Sequence, residues 1–169
     1  AARVGRRRRR HVVFVSSAAG LMTFTGYSAY SPTKYAVRGL AECLRNELRA
    51  AHVDVHVFYP SSLDTPGYAV EERTKPAACR AIEGTAALLS ADAAAHLLDD
   101  GVQRGNFAIT TEPLIELARM GANGIAPRNN TPLEMLVAPL LPIVQLGFVL
   151  FLDGTAASAA AADNRAKRS

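Results

Sequence analysis

Ser17, Tyr30 and Lys34 have the residue types and the spacing for a single kind of proton transfer. Tyr30 and Lys34 stand four residues apart at the start of a helical pattern, which puts both side chains on one face. A free tyrosine hydroxyl titrates at about pH 10, and a neighbouring ammonium favours its phenolate form. Lys34 is placed to do that for Tyr30. Ser17 precedes Tyr30 by thirteen residues, at the end of an apolar run, where its hydroxyl can donate to a carbonyl oxygen that Tyr30 protonates. Such a trio polarises a ketone or deprotonates an alcohol.

The elements that must position the trio follow from hydrophobic period and turn signals. Residues 11–17 form a continuous apolar run, the pattern of a strand buried on both faces of a parallel sheet. The run ends at Ser16-Ser17 and a small-residue turn closing on Gly20. From about Ser31 to Ala51 a helix is predicted, with Val37, Leu40, Ala41, Leu44, Leu48 and Ala51 as its apolar stripe. Pro32 falls in the first turn, where proline is tolerated. Residues 53–59, VDVHVFY, are the next strand, stopped by Pro60. Strand, helix, strand is a βαβ unit, whose ligands collect beyond the carboxyl ends of the strands. Ser17 and Pro60 both lie there. Ser90 is expected to cap a further helix to about Arg104, with Ala93, Ala94, Leu97, Leu98 and Val102 on its buried side. A last strand is predicted over residues 106–111.

The final third differs in character. Residues 135–152 hold no charged side chain and are interrupted by Pro139, Pro142, Gln145 and Gly147. This predicts a kinked segment inserted in a membrane or lying at its surface, with a buried core or oligomer helix as the alternative. The alanine-rich stretch 155–162 and the closing NRAKRS read as a disordered tail with its charges near lipid headgroups.

Composition narrows the class further. The formal charge is +4, but Arg3 and the five arginines at 6–10 supply six of the 19 basic residues, leaving 13 against 15 acidic ones. The body of the chain is therefore not basic. No aromatic stacking groups accompany the arginine run, so nucleic acid is not an expected partner and the run reads as a solvated connector. Cys43 and Cys79 have no metal or redox spacing and are expected as reduced thiols, and the four histidines make no ligand set. No apolar stretch of signal-peptide type follows the N-terminal arginines.

Taken in order, the strand, Ser-Ser-x-x-Gly, the loop, Tyr-x-x-x-Lys and the amphipathic helix resemble the short-chain dehydrogenase/reductase family. Within it, the phrases TKYAVRGLAECLRNEL, DTPGYAVEERTKP and QRGNF and the closing apolar segment are similar to the reductases of 3-ketosphinganine, over residues 11–153. The resemblance implies NADPH as cofactor, a long-chain keto-lipid as substrate, and the cytosolic face of the endoplasmic reticulum membrane as the location. It implies Tyr30 as proton donor to the ketone oxygen, Lys34 as the group that assists it and holds the nicotinamide ribose, and Ser17 as the residue that orients the carbonyl. Pro60, Leu63 and Thr65 would seat the nicotinamide, although Ser61 stands where the family has glycine. The helix over residues 31–51 would serve a homo-oligomer.

The fold expected is α/β: the C-terminal half of a doubly wound parallel-sheet Rossmann fold, then an apolar membrane-associating helical segment. The divisions are a basic connector at 1–10, a partial Rossmann domain at 11–126, the apolar segment at 127–153 and a tail at 154–169. The family's Gly-rich phosphate loop and its determinants of NADPH over NADH would lie upstream, since no G-x-G-x-x-G occurs here. The chain by itself is thus expected not to reduce ketones. Two other readings fit the same residues: a reductase of a steroid, retinoid or other lipid carbonyl, and a non-catalytic membrane-associated fragment.

Overall fold

The computed structural model describes residues 9–84 and 88–166. Its centre is a parallel sheet of three strands, β1 (Arg10–Val15), β2 (Val53–Tyr59) and β5 (Ala108–Thr110), in the order β1-β2-β5. Val12 lies opposite Val55 and Val57 opposite Ala108. The helix α1 (Ser31–Glu47), extended by a 3-10 turn to Ala51, connects β1 to β2, and α4 (Ala91–Gln103) leads into β5. This is the doubly wound arrangement expected from the sequence.

The middle strand β2 is buried on both faces, because period-two alternation sends its side chains to two different cores. Val55, Val57 and Tyr59 join Leu21, Ala41, Phe107 and Ile115 on the α1 side. Phe58 joins Ala94 and Ile109 on the α4 side. On that side Gly101 lets the helix close onto the sheet, since a Cβ there would sit 2.6 Å from Ile109 Cγ1. Gly101, with Ala94, is buried in α4, whereas Leu97, expected on its inner side, is exposed.

Strand β1 departs from expectation. It pairs with β2 along one edge, and Val12 and Val15 are exposed, so the apolar run does not mark burial on both faces in the described residues. Leu40 is likewise exposed; Ala41, fully buried, is the centre of the α1 contact, with Leu48 packed at the edge of the core.

Four short elements between Pro60 and Ser90 were not anticipated. They are β3 (Leu63–Asp64), α2 (Pro66–Thr74), α3 (Ala77–Glu83) and β4 (Leu89–Ser90), with β3 and β4 paired in parallel. Helices of seven and nine residues show too few turns for a hydrophobic period to register. Ser90 caps α4 as expected, accepting from the Ala93 N–H at 3.2 Å.

Beyond β5 lie α5 (Pro113–Ala122), α6 (Thr131–Val137) and α7 (Leu141–Ala166). Pro139 falls in a 3-10 turn, Ala138–Leu140, and Pro142 in the first turn of α7, so the two prolines stand at the entry to the long helix, where proline is tolerated. The stretch Thr131–Ala159 is long and apolar enough to cross a membrane, with mean hydropathy 2.3 and only 6% of its most apolar window buried. The stretch read as a disordered tail is a correction: α7 runs through it to Ala166, as alanine's high helix propensity favours. Residues 1–8, most of the basic connector, and 167–169 lie outside the described residues, while Arg9 pairs with Asp54 at 2.9 Å.

A buried ion network ties the apolar helices to the sheet. Arg119 of α5, 1% exposed, donates to Glu116 and to Glu134 of α6, the latter at 2.7 Å. Glu134, 0% exposed, also accepts from the Asn129 and Asn130 N–H groups, and Asn129 Nδ2 donates to the Ala108 carbonyl at 2.7 Å. Replacing Glu134 by Ala leaves the Arg119 charge buried without its second partner. That loss is expected to cost about 3–5 kcal/mol, read as a lowered melting midpoint in detergent, with a change under 1 kcal/mol counting against the network's role.

Candidate active site

The site begins where β1 ends. Ser16 and Ala18 continue the ladder past the strand, donating to the Phe58 and Pro60 carbonyls at 2.9 Å each. This pins the two strand ends side by side. Ser16 is buried and donates its hydroxyl to the Lys34 carbonyl at 3.0 Å, tying the strand end to the first turn of α1. Gly20 makes the approach possible: a Cβ there would fall 2.5 Å from Ser16 Oγ and 3.0 Å from the Lys34 carbonyl oxygen.

The neighbouring serine faces the other way. Ser17 Oγ accepts from the Ala19 N–H at 3.2 Å, capping a 3-10 turn over Ala18–Gly20. With that lone pair engaged, its O–H is left as the donor. Tyr30 precedes the first residue of α1 and is 41% exposed, and Lys34 follows in the first turn. The Lys34 ammonium lies 5.3 Å from the Tyr30 ring centroid and 3.5 Å from the Val15 carbonyl. Phe24, Tyr27 and Tyr30 form a ladder of rings 5.2 and 5.7 Å apart.

Pro60, Leu63 and Thr65 follow β2 on the opposite wall. Thr65 Oγ1 accepts from the Tyr68 N–H at 3.1 Å as the cap of α2, and Leu63 is held by the β3–β4 pairing. Ser61, in the glycine's place, donates its N–H to Thr111 Oγ1 at 3.0 Å, which fastens this loop to the end of β5. All six residues singled out in the sequence line one cavity of about 760 Å³. Phe148 and Phe151 of α7 line it too.

A charged lobe of the same cavity was not foreseen. Lys75, 5% exposed, lies between α2 and α3 and pairs with Glu71, Glu72 and Glu83, its ammonium 4.6 Å from the Tyr68 ring centroid. The Tyr27 hydroxyl lies within hydrogen-bond distance of both Glu71, at 2.9 Å, and Glu83, which share its single proton. Burial alone would depress the Lys75 ammonium, but the hydrogen bonds to Glu72 and Glu83 prevail and raise its pKa above the ordinary lysine value. Burial, then the Glu83 carboxylate, push the Tyr27 phenol upward, so it stays a neutral donor. Glu71 and Glu72 at helical spacing before Lys75 were legible as a pair of partners; Glu83 reaches Lys75 only through the turn at Pro76.

Two outcomes test this geometry. Gly20→Ala is expected to destabilise the protein by about 1–3 kcal/mol and to weaken whatever chemistry Lys34 supports, measured by thermal unfolding beside an activity assay; an unchanged midpoint would contradict the contact. Because Lys75 titrates higher folded than unfolded, its contribution is complete below the unfolded lysine value and lost as pH rises through the folded one. Protection of α2 and α3 amides, measured against their intrinsic base-catalysed exchange rates, should therefore fall above the ordinary lysine range in the wild type, and Lys75→Met should remove that pH dependence.

Residues 3–76, which include all six, match the family model described as short chain dehydrogenase. The chain is 39% identical over 130 residues to the 3-ketodihydrosphingosine reductase of Cryptococcus neoformans, covering 77% of this chain and 39% of the relative. It is 47% identical over 102 residues to the 3-ketodihydrosphingosine reductase of Bos taurus, covering 60% and 30%. It thus spans well under half the length of these relatives. Among solved structures, a short-chain dehydrogenase/reductase from Burkholderia phymatum in complex with NAD aligns at TM-score 0.52 and 28% identity, over 68% of this chain and 47% of that one. A short-chain dehydrogenase from Burkholderia cenocepacia in complex with NADP shares the fold at TM-score 0.53 and 17% identity, over 78% and 48%. With the strand, the paired serines and the tyrosine and lysine arranged as described, residues 3–76 are similar to the short-chain dehydrogenases.

Proposed function

We propose that this chain is the catalytic half of an enzyme that reduces the ketone of 3-ketosphinganine to the alcohol of sphinganine at a membrane, using NADPH. One observation carries the reading. The cavity that gathers Ser17, Tyr30 and Lys34 is walled elsewhere by Phe148 and Phe151, which belong to a helix apolar enough to lie in lipid. A polar reaction centre facing an apolar membrane helix suits a ketone borne on a long alkyl chain. The reductases named among the relatives support the same substrate.

The residues fit a nicotinamide. Pro60, Leu63 and Thr65 stand at the carboxyl end of the central strand, where such rings bind in open α/β sheets. When bound, the reduced cofactor supplies the hydride that the ketone carbon accepts. This chain's own groups do the rest. Ser17, its lone pair engaged by Ala19, donates its O–H to the ketone oxygen and holds the carbonyl in place. Tyr30 gives that oxygen a proton as charge develops on it. The Lys34 ammonium stabilises the phenolate left behind, and is itself steadied against the Val15 carbonyl.

Location on the endoplasmic reticulum with the reaction centre in the cytosol accords with a lipid substrate and with the free thiols of Cys43 and Cys79. Tyr35 and Leu40, exposed on α1, offer an apolar surface for a second copy. Tyr30→Phe is expected to lower kcat on 3-ketosphinganine by about a hundred- to ten-thousand-fold with the melting midpoint unchanged, and Ser17→Ala to act in the same direction. Following NADPH oxidation against 3-ketosphinganine and a steroid ketone gives the test. A wild-type rate confined to the steroid, or retained in Tyr30→Phe, would sink the reading.

A further inference from the structure

We infer that Tyr27 is a positioning residue for the proposed reaction: it ties the segment carrying α2 and α3 to Tyr30, so that the seating of that segment sets the orientation of Tyr30. The inference rests on the reductase reading above and adds to it a residue outside the trio of serine, tyrosine and lysine. Tyr27 stands three residues before Tyr30, in the turn that leads into α1. Its carbonyl accepts from the Tyr30 N–H at 3.0 Å and from the Ser31 N–H at 2.8 Å. N–H groups at the start of a helix have no carbonyl of the helix's own to bond, so Tyr27 supplies the missing acceptor. Its ring stands 5.7 Å from that of Tyr30, in contact range for an aromatic pair. Backbone and ring of Tyr27 therefore both act on Tyr30.

The hydroxyl reaches in the other direction. It lies 2.9 Å from Glu71 of α2 and within hydrogen-bond distance of Glu83 of α3. One phenol thereby bridges the two helices. The carboxylates it meets are themselves fixed, since Lys75, buried at the end of α2, pairs with both. The turn also touches α3 through its backbone. Gly26, at φ +98°, takes a conformation that L side chains rarely adopt, and a Cβ there would lie 3.4 Å from Cys79 Cβ and 3.6 Å from Pro76 Cγ. In turn α3 packs against α7. A shift of α2 or α3 therefore acts on the turn that begins α1.

The chemistry of Tyr27 suits holding rather than proton transfer. Burial, then the Glu83 carboxylate, push its phenol above the ordinary tyrosine value, so it keeps its proton. A phenol in that state donates to a carboxylate, and hydrogen bonds to an ionised acceptor are the stronger kind. Tyr30 is different: at 41% exposed, its ring is not gripped by core packing. The Lys34 ammonium, 5.3 Å from the ring centroid, holds it from the helix side, and Tyr27 holds it from the turn side. Tyr27, Tyr30, Glu71 and Glu83 all line the cavity. A ligand chain that displaces α2 or α3 thus moves Tyr27 and, with it, the group that gives the proton.

The test uses the full native polypeptide in detergent and reads structure and turnover separately. Fluorine NMR of 3-fluorotyrosine incorporated at position 30 reports the setting of that ring, and NADPH oxidation by the unlabelled protein reports the rate. Tyr27→Phe keeps the ring and the carbonyl and removes only the bridge, while Glu83→Gln weakens the same bridge from the α3 side. Glu72→Gln is the control, because Glu72 pairs with Lys75 whereas the Tyr27 hydroxyl meets Glu71 and Glu83. In Tyr27→Phe the fluorine resonance is expected to broaden or split, and kcat on 3-ketosphinganine to fall by about 10- to 100-fold with KM for NADPH unchanged. Glu83→Gln should act in the same direction, and the double variant should lose no more than Tyr27→Phe alone, as for two groups in one interaction. Glu72→Gln should change neither readout. An unchanged resonance in Tyr27→Phe, or an active protein whose kcat does not fall, overturns the assignment. So do losses that multiply in the double variant, or equal losses in Glu72→Gln with a lowered melting midpoint. The reductase reading fails separately: a position-30 resonance that responds to Tyr27→Phe, in a protein that reduces no 3-ketosphinganine, would keep the coupling and remove the reaction.

Discussion

The hydrogen bond from the Ser16 hydroxyl to the Lys34 carbonyl is the contact on which the candidate site depends. It joins the end of a sheet strand to the first turn of a helix eighteen residues later, and it forms only because Gly20 has no side chain to hold them apart. Strand ends and helix starts are rigid, so a single bond between them sets three side chains at once. Ser16 spends its hydroxyl on that bond, which leaves Ser17 as the neighbouring serine whose O–H can donate into the cavity. Lys34 is placed because its own carbonyl is held. Tyr30 is placed because the helix that begins beside it is anchored there.

The opposite wall is built by a different device. Pro60 and Ser61 leave the central strand and are fastened to the ends of β1 and β5, so three parallel strand ends converge on one mouth. Beyond β5 the buried Arg119 and Glu134 pair determines where the apolar helix departs from the sheet. Paired charges of this kind contribute little net stability compared with apolar packing, but breaking one partner is costly, so they specify an arrangement more than they strengthen it. Here the arrangement brings Phe148 and Phe151 to the cavity. The helix therefore has two roles: an outer face suited to lipid, and an inner face that helps enclose the site.

The charged lobe around Lys75 explains why a lysine can be buried so close to the reaction centre. Three carboxylates and the face of Tyr68 compensate the ammonium, and the Tyr27 phenol completes the network as a neutral donor.

How much was legible beforehand depended on the range of the interactions involved. Ser17, Tyr30 and Lys34 could be read from local spacing, because a helical period and a strand end are properties of neighbouring residues. The same holds for β2, for the Ser90 cap and for the apolar character of the last helix. The short α2 and α3, the β3–β4 pairing and the exposure of β1 could not be read, since each depends on what packs alongside rather than on its own pattern. Alanine propensity, a local property, was overlooked in the tail, and the helix there followed it. Lys75 with Glu83 and Arg119 with Glu134 belong to the tertiary structure alone. By itself the sequence determined the strand, helix and strand, the candidate side chains Ser17, Tyr30 and Lys34 and the family they resemble. Only the fold decided which serine is spent on the Lys34 carbonyl, which carboxylates are already paired and which helix lines the site, because those are contacts between segments that no local period encodes.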